Sequence, residues 1–166
     1  MANVKSFIHG NAIFAERAGA SVFHAVDGIE GTDTLGLPTV WGKIYEGPGG
    51  LTNWFHAVIP TFPVIFSSLV QLEAVFIFFK TSGSCSIGEL QFWDGTDRIN
   101  RVPSLTLAGN YPHDPVPGIT AFEVREEGTG ITHTMNYGLN LGIQVNFSER
   151  SQIVFYSAGA SFITSD

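Results

Sequence analysis

The feature that most constrains the fold is a strict alternation of apolar and polar residues near the C-terminus. From Leu139 to Phe147 every odd-numbered residue is apolar, and the residues between them are Asn, Gly, Gln and Asn. This period of two predicts a β-strand with one apolar face. The polar segment Ser148–Ser151 follows, and the alternation resumes from Gln152 to Tyr156. The C-terminal quarter is therefore predicted to be an antiparallel hairpin, followed by a last short strand from Ala160 to Thr164.

The segment from Val70 to Lys80 is apolar on both faces of a strand apart from Glu73, which predicts a central strand or one beneath an interface. A strand from Ser86 to Trp93 leads into Asp94-Gly95, a dipeptide that favours a tight hairpin turn before a returning strand from Asp97 to Val102. Gly, Pro, Asn or Asp residues bound the other predicted strands. These are Val4–His9, Ser21–Val26, Thr39–Tyr45, Thr52–Ile59 and Ile119–Arg125, which gives about nine or ten strands in total.

The composition agrees with an all-β chain. The sequence has 166 residues, of which 44% are hydrophobic, and it includes 14 Phe and 19 Gly. Two segments rich in Gly and Pro, 46–50 and 111–118, are predicted surface loops, and neither is long enough to link two domains. We find no repeat and no segment with helix start and stop signals. The expected architecture is one domain, residues 1–166, folded as an antiparallel β-sandwich of jelly-roll type.

The charge balance restricts the partners. Eight Lys and Arg face fifteen Asp and Glu, and the net charge of −7 opposes binding to nucleic acid or anionic lipid. The most apolar segment, Leu69–Phe79, is too short for a membrane-spanning helix. The first six residues show no secretion signal, so the expected location is cytoplasmic, with non-classical release or a surface location as the alternative.

Few residues point to catalysis. The five His residues lie on separate predicted elements without chelating spacing, so neither a metal nor a cofactor is expected. Cys85 is predicted to be a small buried hydrophobic residue, and the sequence around it is no nucleophile elbow. Glu73 and Glu89 lie on neighbouring predicted strands where two carboxylates can meet. With His56 they are the candidates for an enzyme, but no complete catalytic residue set is predicted.

The densest aromatic segments are Val40-Trp41-Gly42 and the run from Asn53 to Pro60. On a strand, Trp54 and His56 share one face, whereas Phe55 and Ala57 share the other. Two interpretations remain open. In the first, Trp41 and Trp54 fill the core. In the second, they form a stacking platform for a sugar, and Asn53 and His56 provide hydrogen bonds.

The run from Asn53 to Val64, the pair Val75-Phe76 and the later sequence Phe92-Trp93-Asp94-Gly95 resemble a family of short all-β proteins of unknown function in bacteria and fungi. In that family, a Trp or Phe, a His and an Ile-Pro-Thr-Pro-like stretch precede a strand and a later Asp-Gly turn. In this chain Phe62 stands between Thr61 and Pro63. The resemblance covers about half of the chain. It implies a β-sandwich without assigned chemistry.

The sequence predicts a non-catalytic module with a structural, self-assembling role. Only 14% of the residues are charged, which is few for covering a monomer's surface and protecting its sheet edges. A homo-oligomer is therefore expected, and a monomer with a neutral polar surface is the opposing hypothesis. Two other functions remain alternatives: a carbohydrate-binding module with an aromatic face, and a sandwich-fold enzyme that acts on carbohydrate or uses a metal.

Overall fold

The computed structural model describes residues 3–16, 37–39, 42–62, 64–65, 68–113 and 116–164. These residues form thirteen β-strands and one short 3-10 turn, Gly10–Ala12, and they contain no α-helix. The strands are β1 (Asn3–His9), β2 (Phe14–Ala15), β3 (Leu37–Thr39), β4 (Gly42–Gly47), β5 (Leu51–Ile59), β6 (Val64–Ile65), β7 (Ser68–Ser82), β8 (Cys85–Asp94), β9 (Asp97–Val102), β10 (Asn110–Tyr111), β11 (Ala121–Glu123), β12 (Leu139–Phe147) and β13 (Ser151–Thr164).

The strands form two antiparallel sheets. The larger sheet has the order β10-β7-β13-β4-β3, with β1 paired to β13 and with β6 and β11 paired to β7. The smaller sheet has the order β2-β5-β12-β8-β9. The all-β prediction is therefore confirmed for the described residues.

The long strands β7 and β13 form the centre of the eight-stranded sheet. Their pairing runs from Gln152 opposite Ser82 to Thr164 opposite Val70. The predicted central position of the segment from Val70 to Lys80 is confirmed, because β7 pairs with β13 on one side and with β6, β10 and β11 on the other. Five consecutive residues of β7, Val75 to Phe79, are buried, so both faces of the strand are apolar over this stretch.

The inner faces of the two sheets contribute to one hydrophobic core. Phe55 of the five-stranded sheet contacts Tyr45 and Phe155 of the eight-stranded sheet, with ring centroids 4.7 and 5.3 Å apart. All three side chains are fully buried. Burial of an aromatic side chain of this size contributes about 2–3 kcal/mol, so such contacts hold the two sheets together.

The predicted C-terminal hairpin is wrong, because its two strands lie in different sheets. Strand β12 pairs with β5 and β8, whereas β13 pairs with β1, β4 and β7. The connections from β4 to β5 and from β7 to β8 also pass from one sheet to the other. A short polar loop after an alternating strand can return within its own sheet or cross to the opposite one, and the alternation is the same in both cases.

The three crossing loops meet at one end of the molecule. The amide of Ser148 donates to the carbonyl of Ser84 at 3.1 Å, and the amide of Gly50 donates to the carbonyl of Phe147 at 2.6 Å. By contrast, β8 and β9 form the predicted hairpin, and Gly95 in its turn has a φ of 61°. This positive φ is the conformation that favours Gly.

Other boundaries differ in detail from the sequence predictions. The expected last strand is the continuation of β13, which is kinked by irregularities in its pairing with β7 near Tyr156 and Phe162. The segment predicted as Thr39–Tyr45 overlaps the last residue of β3 and the first four residues of β4, and residues 40–41 lie outside the described residues. The predicted strand Ser21–Val26 lies outside the described residues. No helix among the described residues is long and apolar enough to cross a bilayer.

Candidate functional site

The outer face of the five-stranded sheet contains a groove of about 500 Å³. We call it the tryptophan groove. Its lining residues come from β5, β8 and β12 and from the residue that follows β2. They are Trp54, His56, Gln91, Trp93, Asn140, Gly142 and Glu16.

Because buried and more exposed residues alternate along each strand, the strand residues that line the groove lie on the outer face of the five-stranded sheet. On β5, Phe55 and Ala57 are fully buried, whereas Trp54 and His56 between them are half-buried on the opposite face. On β12, the apolar residues point inward and the polar ones face the groove. The face that the sequence marks as polar is therefore the floor of the groove.

Gly142 occupies the centre of this floor. It lies opposite His56 on β5 and opposite Gln91 on β8. Trp54 pairs with Gln144, and Trp93 pairs with Asn140, so the two indoles enter the groove from opposite sides and opposite ends. Because residue 142 has no side chain, the Trp54 ring lies close to the backbone at this position.

Packing does not require glycine at this position. A Cβ atom on Gly142 would lie 3.5 Å from Cβ of Gln91 and 3.6 Å from the Trp54 ring, which are ordinary contact distances. On Gly10 the same atom would lie 1.7 Å from the carbonyl oxygen of Phe155. Glycine weakens a strand interior, and it often marks a place where a ligand approaches closely. Gly142 is a strand-interior glycine that packing does not require, so it is a candidate for such a place.

Hydrogen-bonding groups surround the two indoles. The Gln91 amide donates to Oε1 of Glu89 at 2.9 Å, and Nε2 of His56 lies 3.5 Å from a carboxylate oxygen of Glu16. The buried Oδ1 atom of Asn140 has no hydrogen-bond partner among the described residues. A buried acceptor without a partner costs about 1–3 kcal/mol.

The structure brings together two of the four residues predicted to bind a ligand. Trp54 and His56 line the groove, and Trp54 is therefore outside the core. Asn53 does not reach this face: it is 1% exposed on the inner side, where its Oδ1 accepts the amide of Trp54 at 2.9 Å. Trp41 lies outside the described residues.

Sequence reasoning missed Trp93, Gln91, Asn140, Gly142 and Glu16 as groove residues. A signal for part of this set was present, because positions 89, 91 and 93 share one face of a strand with period two. The pairing of β8 with β12 brings that face next to Asn140 and Gly142. Such pairing between distant segments is not visible in the alternation of either strand.

The predicted meeting of Glu73 and Glu89 is wrong, because β7 and β8 belong to different sheets. Glu73 accepts hydrogen bonds from Asn3 and Ser161, each at 3.0 Å. At the groove, Glu16 and Glu89 stand on either side of β5 and β12. Three strand spacings separate their backbones by about 14 Å.

A second polar cluster lies at the turn between β8 and β9. Asp94 is 2% exposed, and its carboxylate accepts the amides of Asn136, Tyr137 and Gly138 at 2.7–2.8 Å. The His133 ring bridges Asp94 and Glu126, at 3.1 and 2.8 Å.

Burial alone would raise the pKa of Asp94, but the hydrogen bonds from these amides and from His133 outweigh it and lower the pKa. The carboxylate is therefore held ionised, and it fastens the segment before β12 to the hairpin turn. Among the described residues, no group of three or more His, Cys, Asp and Glu is arranged to hold a metal ion.

Cys85 is buried as predicted, and burial raises the pKa of its thiol to about 12. A thiol with so high a pKa is not a nucleophile at neutral pH. This leaves the tryptophan groove as the candidate functional site.

No protein-family model, curated protein or solved structure matches the chain. The resemblance to the short all-β family therefore stays a prediction. The function proposed below is therefore derived from the geometry of the tryptophan groove.

Proposed function

We propose that the protein is a non-catalytic module that binds a neutral oligosaccharide in the tryptophan groove. The observation that carries the proposal is the position of Trp54 and Trp93 on the two strands that flank Gly142, in one groove. Indole rings stack on the apolar faces of sugar rings, and amide and imidazole groups exchange hydrogen bonds with the hydroxyls. Gln91, Asn140 and His56 supply such groups.

The lining residues favour a ligand without negative charge. They include the carboxylate of Glu16 but neither Lys nor Arg, and the whole chain has a net charge of −7. A uronic acid or a sulfated sugar would be repelled by Glu16 and would meet no Lys or Arg among the described residues that line the groove.

The separation of the indoles favours an oligosaccharide over a single sugar. The partners of Trp54 and Trp93 on β12, Gln144 and Asn140, are four residues apart. Four residues of a strand span about 13 Å, which is longer than one sugar ring. We therefore propose a ligand of several rings that extends along the groove from Trp54 to Trp93.

We also propose that the two sheets form an antiparallel β-sandwich of jelly-roll type. Support comes from the core that they share and from the three short connections that cross between them at one end. In this architecture the tryptophan groove lies on the outer surface of one layer.

Calorimetric titration with a panel of neutral, β-linked hexasaccharides tests the binding proposal. We expect the wild-type protein to bind at least one of them, and Trp54→Ala and Trp93→Ala each to weaken binding at least about tenfold, a loss of about 1.4 kcal/mol. Tyr137→Ala, which removes an aromatic residue that is 73% exposed away from the groove, is the matched control. Failure to bind any member of the panel would contradict the proposal.

A side chain introduced at position 142, which would fill the floor of the tryptophan groove, gives a second test. A Cβ atom fits at position 142, and the methyl groups of Gly142→Val would extend from it into the floor beside Trp54. Circular dichroism melting shows whether this variant is folded. We expect oligosaccharide binding to fall at least about tenfold. Unchanged binding by this variant would place the ligand elsewhere.

Self-association is a second candidate function, and the edge of β1 favours it. In the described part of the chain β1 pairs only with β13, so one edge of a seven-residue strand has no partner strand. Such an edge can pair with another copy of the chain. Light scattering over a concentration series tests this candidate, and a constant monomeric mass at high concentration would contradict it.

A further inference from the structure

We propose a second binding site on the outer face of the eight-stranded sheet, which takes an amphiphilic monoanion: an apolar body with one carboxylate or sulfonate. The site is a groove of about 500 Å³, which we call the phenylalanine groove. It is lined by Lys5, Phe7, Phe76, Phe78, Pro112 and His113.

Three aromatic rings from two strands make the apolar part of the site. The Phe7 ring stacks on Phe76 with a centroid distance of 5.9 Å and an interplanar angle of 25°, and it lies 6.2 Å from Phe78. Phe76 and Phe78 are almost fully buried, whereas Phe7 is 46% exposed. Phe7 therefore forms a wall above an apolar floor.

A glycine on the intervening strand makes this stacking possible. Phe7, Gly159 and Phe76 are in direct register across β1, β13 and β7. A Cβ atom on Gly159 would lie 2.1 Å from the Phe7 ring. The rings of the two outer strands meet because the middle strand has no side chain at this position.

The charges at the phenylalanine groove are opposite to those of the molecule as a whole. Among the described residues, the two ionisable residues that line it, Lys5 and His113, are both basic types, although acidic residues outnumber Lys and Arg by fifteen to eight in the sequence. The Lys5 ammonium lies 5.6 Å from the Phe76 ring centroid, directly beside the apolar floor. Glu73, farther along β7, is hydrogen-bonded to Asn3 and Ser161. The groove thus presents a cation to the head group of the ligand.

This combination selects the class of ligand. A neutral apolar ligand would offer the Lys5 ammonium no hydrogen-bond acceptor, and a sugar would bury hydroxyls against phenylalanine rings that offer no hydrogen bonds. Binding to an anionic membrane surface requires a cluster of basic residues rather than one lysine. An apolar body of modest size with a single negative group satisfies both the rings and the ammonium.

Fluorescence titration with 1-anilinonaphthalene-8-sulfonate, followed by displacement with decanoate, tests the proposal. We expect saturable binding with one site per chain and competition by decanoate. Phe7→Ala and Lys5→Gln should each weaken binding about three- to fivefold or more, as expected for a lost ring contact or ion pair. Phe14→Ala, which removes a 48% exposed Phe on the other sheet, is the matched control. Circular dichroism melting confirms that each variant is folded.

Several results would overturn the proposal. The first is the absence of saturable binding of the fluorophore. The second is an equal affinity for it in the wild-type protein and in the folded Lys5→Gln and Phe7→Ala variants. The third is binding of the protein to anionic lipid vesicles without binding of decanoate. A dimer that Phe7→Ala dissociates, together with exclusion of the fluorophore from the wild-type protein, would assign the surface to a second copy of the chain. Titration of Lys5→Gln and Phe7→Ala with the oligosaccharides shows separately whether the tryptophan groove still binds its ligand, because neither residue lines that groove.

Discussion

Two glycines of this protein serve different purposes, and their substitutions should separate them. At Gly10 a Cβ atom would collide with backbone at 1.7 Å, and backbone cannot rotate away as a flexible side chain can. At Gly142 the same atom would make ordinary contacts. We expect Gly10→Ala to lower the free energy of unfolding by about 2 kcal/mol or more, and Gly142→Ala to change it by less than about 1 kcal/mol. Urea denaturation measures both, and equal losses would refute the distinction.

Asp94 should be the polar side chain whose loss destabilises the fold most clearly. In Asp94→Asn an amide NH₂ replaces one of the oxygens that now accept backbone amides. We expect a loss of about 2–3 kcal/mol in the free energy of unfolding, because hydrogen bonds to a buried charge are lost. Asp97→Asn, an exposed position in the same turn, is the control and should stay within about 0.5 kcal/mol. Equal stability of the two variants would contradict the role given to Asp94.

The same carboxylate predicts an acid-dependent loss of stability. The pKa of Asp94 is lowered in the folded protein, so its contribution is present above the ordinary value of 3.8 and is lost as the pH falls through the lower folded value. The pKa of Glu126 is lowered by its hydrogen bond to His133 and acts in the same direction. Unfolding between pH 6 and pH 2.5 should show a steeper decline for the wild type than for Asp94→Asn. Parallel curves would contradict this prediction.

The sequence predicts the face on which a residue lies wherever that face depends only on the strand that contains the residue. Alternation alone placed Trp54 and His56 on one face of β5, and the same alternation assigns Asn53 to the opposite face. Grouping Asn53 with them as a hydrogen-bond donor ignored that rule. Trp93 could not be recognised as their partner, because its position beside the groove depends on the pairing of β8 with β12.

At the scale of elements, protection from exchange should follow the sheet order. Strand β7 is paired along both edges, and its side chains Val75, Ile77 and Phe79 are fully buried. We expect the amides of these residues to be among the slowest in hydrogen exchange, and those of β9, at the end of the five-stranded order, to exchange much faster. Mass spectrometry of peptides or NMR measures both. Rapid exchange in β7 would contradict its central position.

Strand positions were predictable, but strand partners were not. The limits of β9 and β12 agree with the sequence prediction, because each pattern is local. Strand β12 does not pair with β13, the next strand in sequence. It pairs with β5 and β8, and the residues of β5 lie about ninety positions earlier. The short loop at Ser148–Arg150 is compatible with both a hairpin and a crossing, so the wrong hairpin came from an ambiguity in the sequence itself.

At the scale of the whole molecule, two outer surfaces differ in chemistry. The five-stranded sheet presents indoles, amides and a carboxylate, whereas the eight-stranded sheet presents phenylalanines beside a lysine. Each groove lies over a glycine in the middle of three paired strands, Gly142 in one sheet and Gly159 in the other. The two sites are therefore expected to bind their ligands independently.

The central claim is that the tryptophan groove binds a neutral oligosaccharide, and NMR of the indole N–H groups tests it most directly. In protein labelled with ¹⁵N at tryptophan, the signals of Trp54 and Trp93 are assigned by single substitutions and followed during titration with the neutral hexasaccharides. We predict that both signals shift together along one binding curve and that Gly142→Val abolishes the shifts. Titration of the whole panel without movement of either signal would contradict the account.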